Sequence, residues 1–157
     1  MAQPQPRTTW VIQCDGSAVP NPGRMGLGAL ITRPDGSQHT LSVATQATGC
    51  NNEAELLALM AALQWALSDM TPAQARAADV AIQCDNSIVV AQLSQAGEPP
   101  VARLAPLFDE ARALLASFAH CQLRWVPRHR NAQADALARA ALGLGPKVQT
   151  HGKRRRR

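Results

Sequence analysis

The sequence predicts an α/β fold, a mixed five-stranded sheet flanked by helices in which three antiparallel strands precede alternating helices and strands. Three observations carry this. Before residue 50, β-rich stretches are separated by Gly, Pro, Asn and Asp turn signals. From 53 to 68, leucines recur at helical spacing, and beyond that helical segments alternate with two more β-rich stretches. At 157 residues the chain suits one domain with its own core.

Residues 8–14 favour a strand that runs into Asp15-Gly16-Ser17, and the turn formers Pro20-Asn21-Pro22-Gly23 predict a tight loop after it. Residues 26–32 read as a second strand, Arg33-Pro34-Asp35-Gly36-Ser37 as a hairpin turn, and 39–45 as a third strand. Leu56, Leu59, Met60, Leu63 and Leu67 mark one face of a helix over 53–68, with Asn52 as its N-cap. Thr71-Pro72 starts a turn or a short helix, and 79–84 alternates as a fourth strand ending at Asp85. A short helix over 87–95, a break at Gly97-Glu98-Pro99-Pro100, a helix over 101–118 and a fifth strand over 121–126 follow. Pro127 stops that strand, and Asn131 can cap a last helix ending near Leu142.

Apolar residues make up 46% of the chain and aromatics only 3%, so the core must be built mainly from Leu, Val, Ile and Ala. No apolar run approaches the roughly 18 residues of a membrane span, and the start, MAQPQPRTTW, lacks the order of a signal peptide. A soluble, cytoplasmic monomer with no membrane partner is expected. Cys14, Cys50, Cys84 and Cys121 lie far apart without metal-type pairing and are expected as buried, reduced thiols. The net charge of +5 is a property of the tail: without Lys153 and Arg154 to Arg157, 11 basic residues face 11 acidic ones. The expected organisation is a flexible segment 1–7, a folded domain 8–143 and a basic, disordered tail 144–157, which either solubilises the chain or contacts nucleic acid.

Val11-Ile12-Gln13-Cys14-Asp15 is echoed by Ala81-Ile82-Gln83-Cys84-Asp85. Alternation puts Gln and Asp on one face of each strand, and both strands are expected to end at their Asp, where α/β sheets commonly bind ligands. Each Asp alone also fits a turn or a cap. Glu53, Glu55 and Asp135 fall in first turns of helices, where a carboxylate is favoured anyway and where Asn52 with Glu55 could form a capping box. Carboxylates gathered in one place repel unless divalent cations neutralise them, and carboxylate oxygens suit Mg²⁺ and Mn²⁺. Periodicity alone does not choose between Glu53 and Glu55, since Glu53 lies nearer the Leu56/Met60/Leu63 stripe.

Four motifs together resemble the type I ribonuclease H family, in a short form without the basic protrusion. They are Asp15-Gly16-Ser17 through Gly23 with Gly26-Leu27-Gly28-Ala29; Asn51-Asn52-Glu53-Ala54-Glu55-Leu56; Cys84-Asp85-Asn86-Ser87; and Asn131-Ala132-Gln133-Ala134-Asp135-Ala136-Leu137-Ala138. They span about residues 8–142 in the family's order. The resemblance implies Asp15, Glu55, Asp85 and Asp135 as catalytic metal ligands for two Mg²⁺ or Mn²⁺ ions, Asp15 bridging. It also implies hydrolysis of the RNA strand of an RNA–DNA hybrid, giving 5′-phosphate and 3′-hydroxyl ends.

By the same resemblance, Gly16 and Ser17 let the backbone approach the RNA, and Asn21, Asn51, Asn52 and Asn131 belong to the substrate-binding set. The family's assisting loop histidine corresponds to His129, which stands closer to Asn131 than the family's pattern has it; a phosphate contact or an exposed loop position are its other readings. Residues 96–103 carry one positive charge where some members have a basic helix and loop. Trp10, Trp65 and Trp125 are expected to pack in the fold. A non-catalytic hybrid-binding module, and a nuclease acting on another duplex such as double-stranded RNA, are the alternatives.

Overall fold

The computed structural model describes residues 9–94 and 102–145. β1 (Thr9–Val19), β2 (Gly23–Thr32) and β3 (Gln38–Gly49) are followed by α1 (Asn51–Ser68), the single-turn α2 (Pro72–Ala75), β4 (Asp79–Cys84) and α3 (Ser87–Ser94). A 3₁₀ turn (Ala102–Leu104) leads into α4 (Ala105–Leu115), then come β5 (His120–Trp125), a second 3₁₀ turn (Arg128–Arg130) and α5 (Ala132–Ala141). The sheet order is β3-β2-β1-β4-β5; β1, β2 and β3 pair antiparallel, whereas β4 pairs parallel to both β1 and β5. The expected mixed five-stranded sheet is therefore the observed one.

Several boundaries differ from the sequence reading, each for a physical reason. β1 does not end at Asp15. Its parallel ladder with β4 stops at Cys14↔Cys84, while antiparallel pairing to β2 carries it on to Val19↔Arg24. β3 likewise extends to Gly49 because β2 supplies partners that far. The helix expected over 101–118 is shorter and starts as a 3₁₀ turn, with Pro106 in its first α-helical turn. The N-cap of α1 is Cys50, with no side-chain cap, and Asn52 lies inside the helix. The end of the helix expected over 87–95, most of the loop after it, and the segments 1–8 and 146–157 lie outside the described residues.

Close packing is achieved by small residues. Ala54, Ala58, Ala62 and Ala66 recur every four residues along α1 and are fully buried, with Leu59 and Leu63, against β1 and β2. The neighbouring face of α1, through Leu56 and Met60, packs with Val89, Leu104, Phe108 and Ala111 of the α3–α4 region. α5 covers the other face of the sheet. A Cβ added at Gly16 would fall 2.1 Å from the Ala54 carbonyl carbon of α1, and one added at Gly28 would fall 2.3 Å from the Ala134 carbonyl oxygen of α5. Each glycine thus removes the one atom that would hold a helix off the sheet. Cys14 and Cys84 are buried as expected, but Cys50 and Cys121 are only partly so. Among the described residues no helix is long and apolar enough to cross a membrane.

Candidate active site

The site forms where β1 and β4 part. With Cys14 opposite Cys84 as the last ladder pair, Asp15 and Asp85 follow side by side, so the two echoed segments are adjacent parallel strands. The first turns of α1, drawn down at Gly16, bring Glu55 over the end of these strands. Asp15, Glu55 and Asp85 each place a carboxylate oxygen so that the three atoms lie within 4.8 Å of one another. Asp15 is 4% exposed and Glu55 7%. Asp135, on α5, lines the same pocket and is one of the acidic neighbours that raise the Asp15 carboxyl. All four predicted carboxylates therefore meet in one pocket, of about 400 Å³.

The electrostatics follow from that burial. Desolvation is the largest cause pushing the Asp15 carboxyl up to about 7; the charges of Asp85 and Asp135 add to it, against a hydrogen bond with Glu55 that pulls the other way. Burial first and Asp15 second raise Glu55 well above the usual carboxylate range. The Cys84 thiol donates to Glu55 Oε2 at 3.9 Å. Four oxygen-donor side chains in one pocket, with Asp15 and Glu55 disfavouring their own charged forms, fit a hard divalent cation, whose charge would reverse that penalty. Periodicity failed to select Glu55 because the buried arc of α1 is broad: Glu55, Leu59, Ala62 and Ala66 form a stripe on the sheet side. Glu53 points elsewhere and pairs with Arg103 at 3.6 Å.

The predicted substrate residues divide into two groups. Gly16, Ser17, Asn51 and Asn52 line the pocket with the carboxylates. However, the Cβ direction of Gly16 faces α1, so the absent side chain serves helix packing first. Asn51 Oδ1 accepts from the Ala18 N–H at 2.9 Å, the Asn51 N–H donates to Asn21 Oδ1 at 3.1 Å, and Asn86 donates to Asn52 Oδ1 at 2.9 Å. These bonds tie the β1–β2 loop and the start of α3 to α1. Asn131, by contrast, is buried and is not among the residues lining the pocket: its Nδ2 donates to the Cys14 carbonyl at 2.8 Å, tethering α5 to β1. It also makes no side-chain cap of α5. Asn131→Ala is expected to cost about 2 kcal/mol of stability, checked by urea denaturation, because it strands a buried carbonyl.

His129 sits exposed in the 3₁₀ turn, whereas Arg128, two residues nearer the end of β5 than Arg130, lines the pocket. The sequence reading missed Arg128, Asn86 and Ile88 as pocket residues; Pro127, which fixes the entry to the turn, was the available signal for Arg128. Trp125 also departs from its expected packing. Trp10 is buried and Trp65 stacks on His39 at 3.9 Å, but Trp125 is half-exposed beside Asp85. A second cleft, of about 510 Å³, lies at the opposite end of the sheet, between Trp10 and the Arg33–Asp69 ion pair, away from the carboxylates.

Fold and site together define an α/β domain with a carboxylate pocket at the end of its central strands. The family described as reverse transcriptase-like matches residues 13–141. A bifunctional protein of Mycobacterium tuberculosis is 36% identical over 134 residues, covering 84% of this chain and 35% of that protein. The solved N-terminal RNase H domain of that mycobacterial protein superposes with a TM-score of 0.75 at 32% identity, covering 87% of this chain and 94% of the domain. Ribonuclease HI of Halobacterium salinarum is 34% identical over 128 residues, 82% of this chain and 61% of that protein. A compost-derived RNase H1, solved in complex with an RNA/DNA hybrid, gives a TM-score of 0.73 at 26% identity, covering 85% of this chain and 96% of that one. This chain belongs to the ribonuclease H family. It spans about a third of the length of the mycobacterial relative.

Proposed function

We propose that this protein is an endoribonuclease that hydrolyses the RNA strand of RNA–DNA hybrids, leaving 5′-phosphate and 3′-hydroxyl ends. The observation that carries the reading is the convergence of Asp15, Glu55 and Asp85 oxygens within 4.8 Å, with Asp135 in the same pocket. A surface meant only to hold a polyanion gains nothing from buried carboxylates. Asp15, Glu55, Asp85 and Asp135 would hold two Mg²⁺ or Mn²⁺ ions, which when bound supply charge stabilisation and a nucleophile of lowered pKa.

The remaining side chains position the substrate. Ser17, Asn51 and Asn52 present polar groups on the α1 side of the pocket, where 2′-hydroxyls can be read. Arg128 lines the pocket, and its guanidinium would suit a phosphate oxygen. Residues 8–143 form the catalytic unit in this reading, and the basic tail adds salt-sensitive attraction to phosphates.

A strand-labelled hybrid, beside matched RNA–RNA and DNA–DNA duplexes, tests the proposal. With Mg²⁺ or Mn²⁺, cutting is expected only in the RNA strand of the hybrid, lost in EDTA and reduced on the order of 10³-fold in Asp85→Asn. Cutting of the RNA–RNA duplex at a similar rate would change the substrate class. Binding of the hybrid without cutting in either metal would make the protein a binding module.

A further inference from the structure

Trp125 is half-exposed, the largest side chain so placed among the described residues. Its surroundings hold it still: the indole Nε1 donates to the Asp85 carbonyl at 3.1 Å, and the next residue, Val126, donates its N–H to the Cys84 carbonyl at 3.0 Å. A rigid indole with a wet face is therefore fixed within one residue of a site carboxylate. Ile88, 45% exposed, lines the carboxylate pocket three residues beyond Asp85. Exposed apolar area of this kind is a cost to an isolated domain and a gain to a contact surface.

The charge around Trp125 says which partner fits. Arg124, Arg128, His129 and Arg130 are exposed, and the chain has no Asp or Glu between Glu110 and Asp135. Arginines interleaved with an aromatic face suit a polyanion whose repeating unit carries a flat or apolar face, which is a nucleic-acid strand. Arg128 reaches the pocket while Trp125 stands just outside it, so the path from one to the other leads away from the reacting bond.

Resting on the hydrolase reading above, we infer that Trp125 is a substrate-positioning residue whose indole face packs against a nucleoside of the hybrid flanking the cleaved phosphodiester. Held by a backbone acceptor and with only two side-chain torsions to fix, the ring gives contact area at small entropic cost. Its flanking arginines hold the phosphates on either side. The N–H bond to Asp85 is a separate role, in the fold, and substitution can separate the two.

Two variants make the test: Trp125→Phe keeps a ring and loses the N–H, and Trp125→Ala loses both. Tryptophan emission of the full chain is titrated with hybrid in EDTA at low salt, and cleavage is then followed in Mg²⁺. Wild-type emission should be quenched by the hybrid, and the quench should vanish in Trp125→Phe, because Trp10 is buried and Trp65 stacks on His39, well away from the carboxylates. In cleavage, Trp125→Ala should raise KM about tenfold with kcat within about twofold, while Trp125→Phe stays within about threefold of wild type in KM. An identical quench in wild type and Trp125→Phe, or an unchanged KM in Trp125→Ala, overturns the inference. So does a fall in kcat shared by both variants at unchanged KM, which would reduce Trp125 to an anchor for Asp85. Cleavage by wild type without a Trp125 response sinks this inference alone; a Trp125-dependent quench without cleavage sinks the hydrolase reading alone.

Discussion

Asp15→Asn is expected to make the metal-free protein more stable and the enzyme inactive. Asp15 is 4% exposed and its carboxyl is pushed up to about 7 by burial and then by its acidic neighbours. In the unfolded chain it titrates near the ordinary value of about 3.9. Between those two values the folded state holds a proton that the unfolded state has lost, so stability falls as pH rises through the window from about 4 to about 7 and stays low above it. An amide carries no charge to bury. At pH 8 in EDTA the substitution should raise Tm by roughly 5 °C, a gain on the order of 2 kcal/mol, and at pH 5 the difference should shrink. Millimolar Mg²⁺ should raise the Tm of wild type at pH 8 and leave that of the variant nearly unmoved. Activity should fall on the order of 10³-fold or more. A variant less stable than wild type in EDTA at pH 8 would mean that the carboxylates are not in mutual conflict, and the metal argument would lose its physical basis.

Gly16→Ala should damage stability and activity together. The new methyl would lie 2.1 Å from the Ala54 carbonyl carbon and 2.4 Å from the Glu55 nitrogen, and both are backbone atoms of a helix packed on the sheet. No rotamer relieves such a contact; α1 must rise. Overpacking of this kind costs about 3 kcal/mol. Because the displaced turn carries Glu55, a shift near 1 Å at the cluster should also lower kcat about 100-fold. Chemical denaturation and single-turnover cleavage measure the two effects. Wild-type stability in this variant would show that α1 does not need the contact at Gly16, and the account of how Glu55 reaches Asp15 would fail with it.

How far the sequence foretold this molecule depended on whether the deciding contact was local. The echo of Gln-Cys-Asp in residues 13–15 and 83–85 announces two strands with a carboxylate at the end of each, and the structure adds that they pair, Cys14 to Cys84. The length of β1 was hidden because its second half is held only by β2, a partner that hydrophobic alternation does not reveal. Glu55 was selected by resemblance and not by periodicity, since a helix wedged between a sheet and two other helices has a buried arc too wide for one stripe to define. Gly16 and Asn131 each have a structural role that their local sequence does not announce. A glycine beside an acidic residue looks like a substrate approach, and an asparagine before a helix looks like a cap, yet both serve contacts between segments remote in sequence. Arg128 escaped notice, and Trp125 was expected to pack, because a side chain's exposure at the end of an edge strand depends on what fails to cover it.

β3, the outer strand beyond β2, has its own consequence for how the molecules behave in a crowd. Its twelve residues, Gln38–Gly49, include no Lys, Arg, Asp, Glu or Pro, and Val43 stands 47% exposed. Among the described residues no strand pairs with its outer side, and such an edge offers unpaired backbone groups to a neighbouring chain without the charges that ordinarily keep neighbours apart. Nor does the rest of the chain supply that protection through its overall charge, because acidic and basic residues balance at 11 each once the last five residues are set aside. Colloidal repulsion between molecules therefore rests on Lys153 and Arg154 to Arg157. The residues that look like an aid to binding thus also carry the whole net charge of +5, the repulsion that an uncharged edge strand lacks.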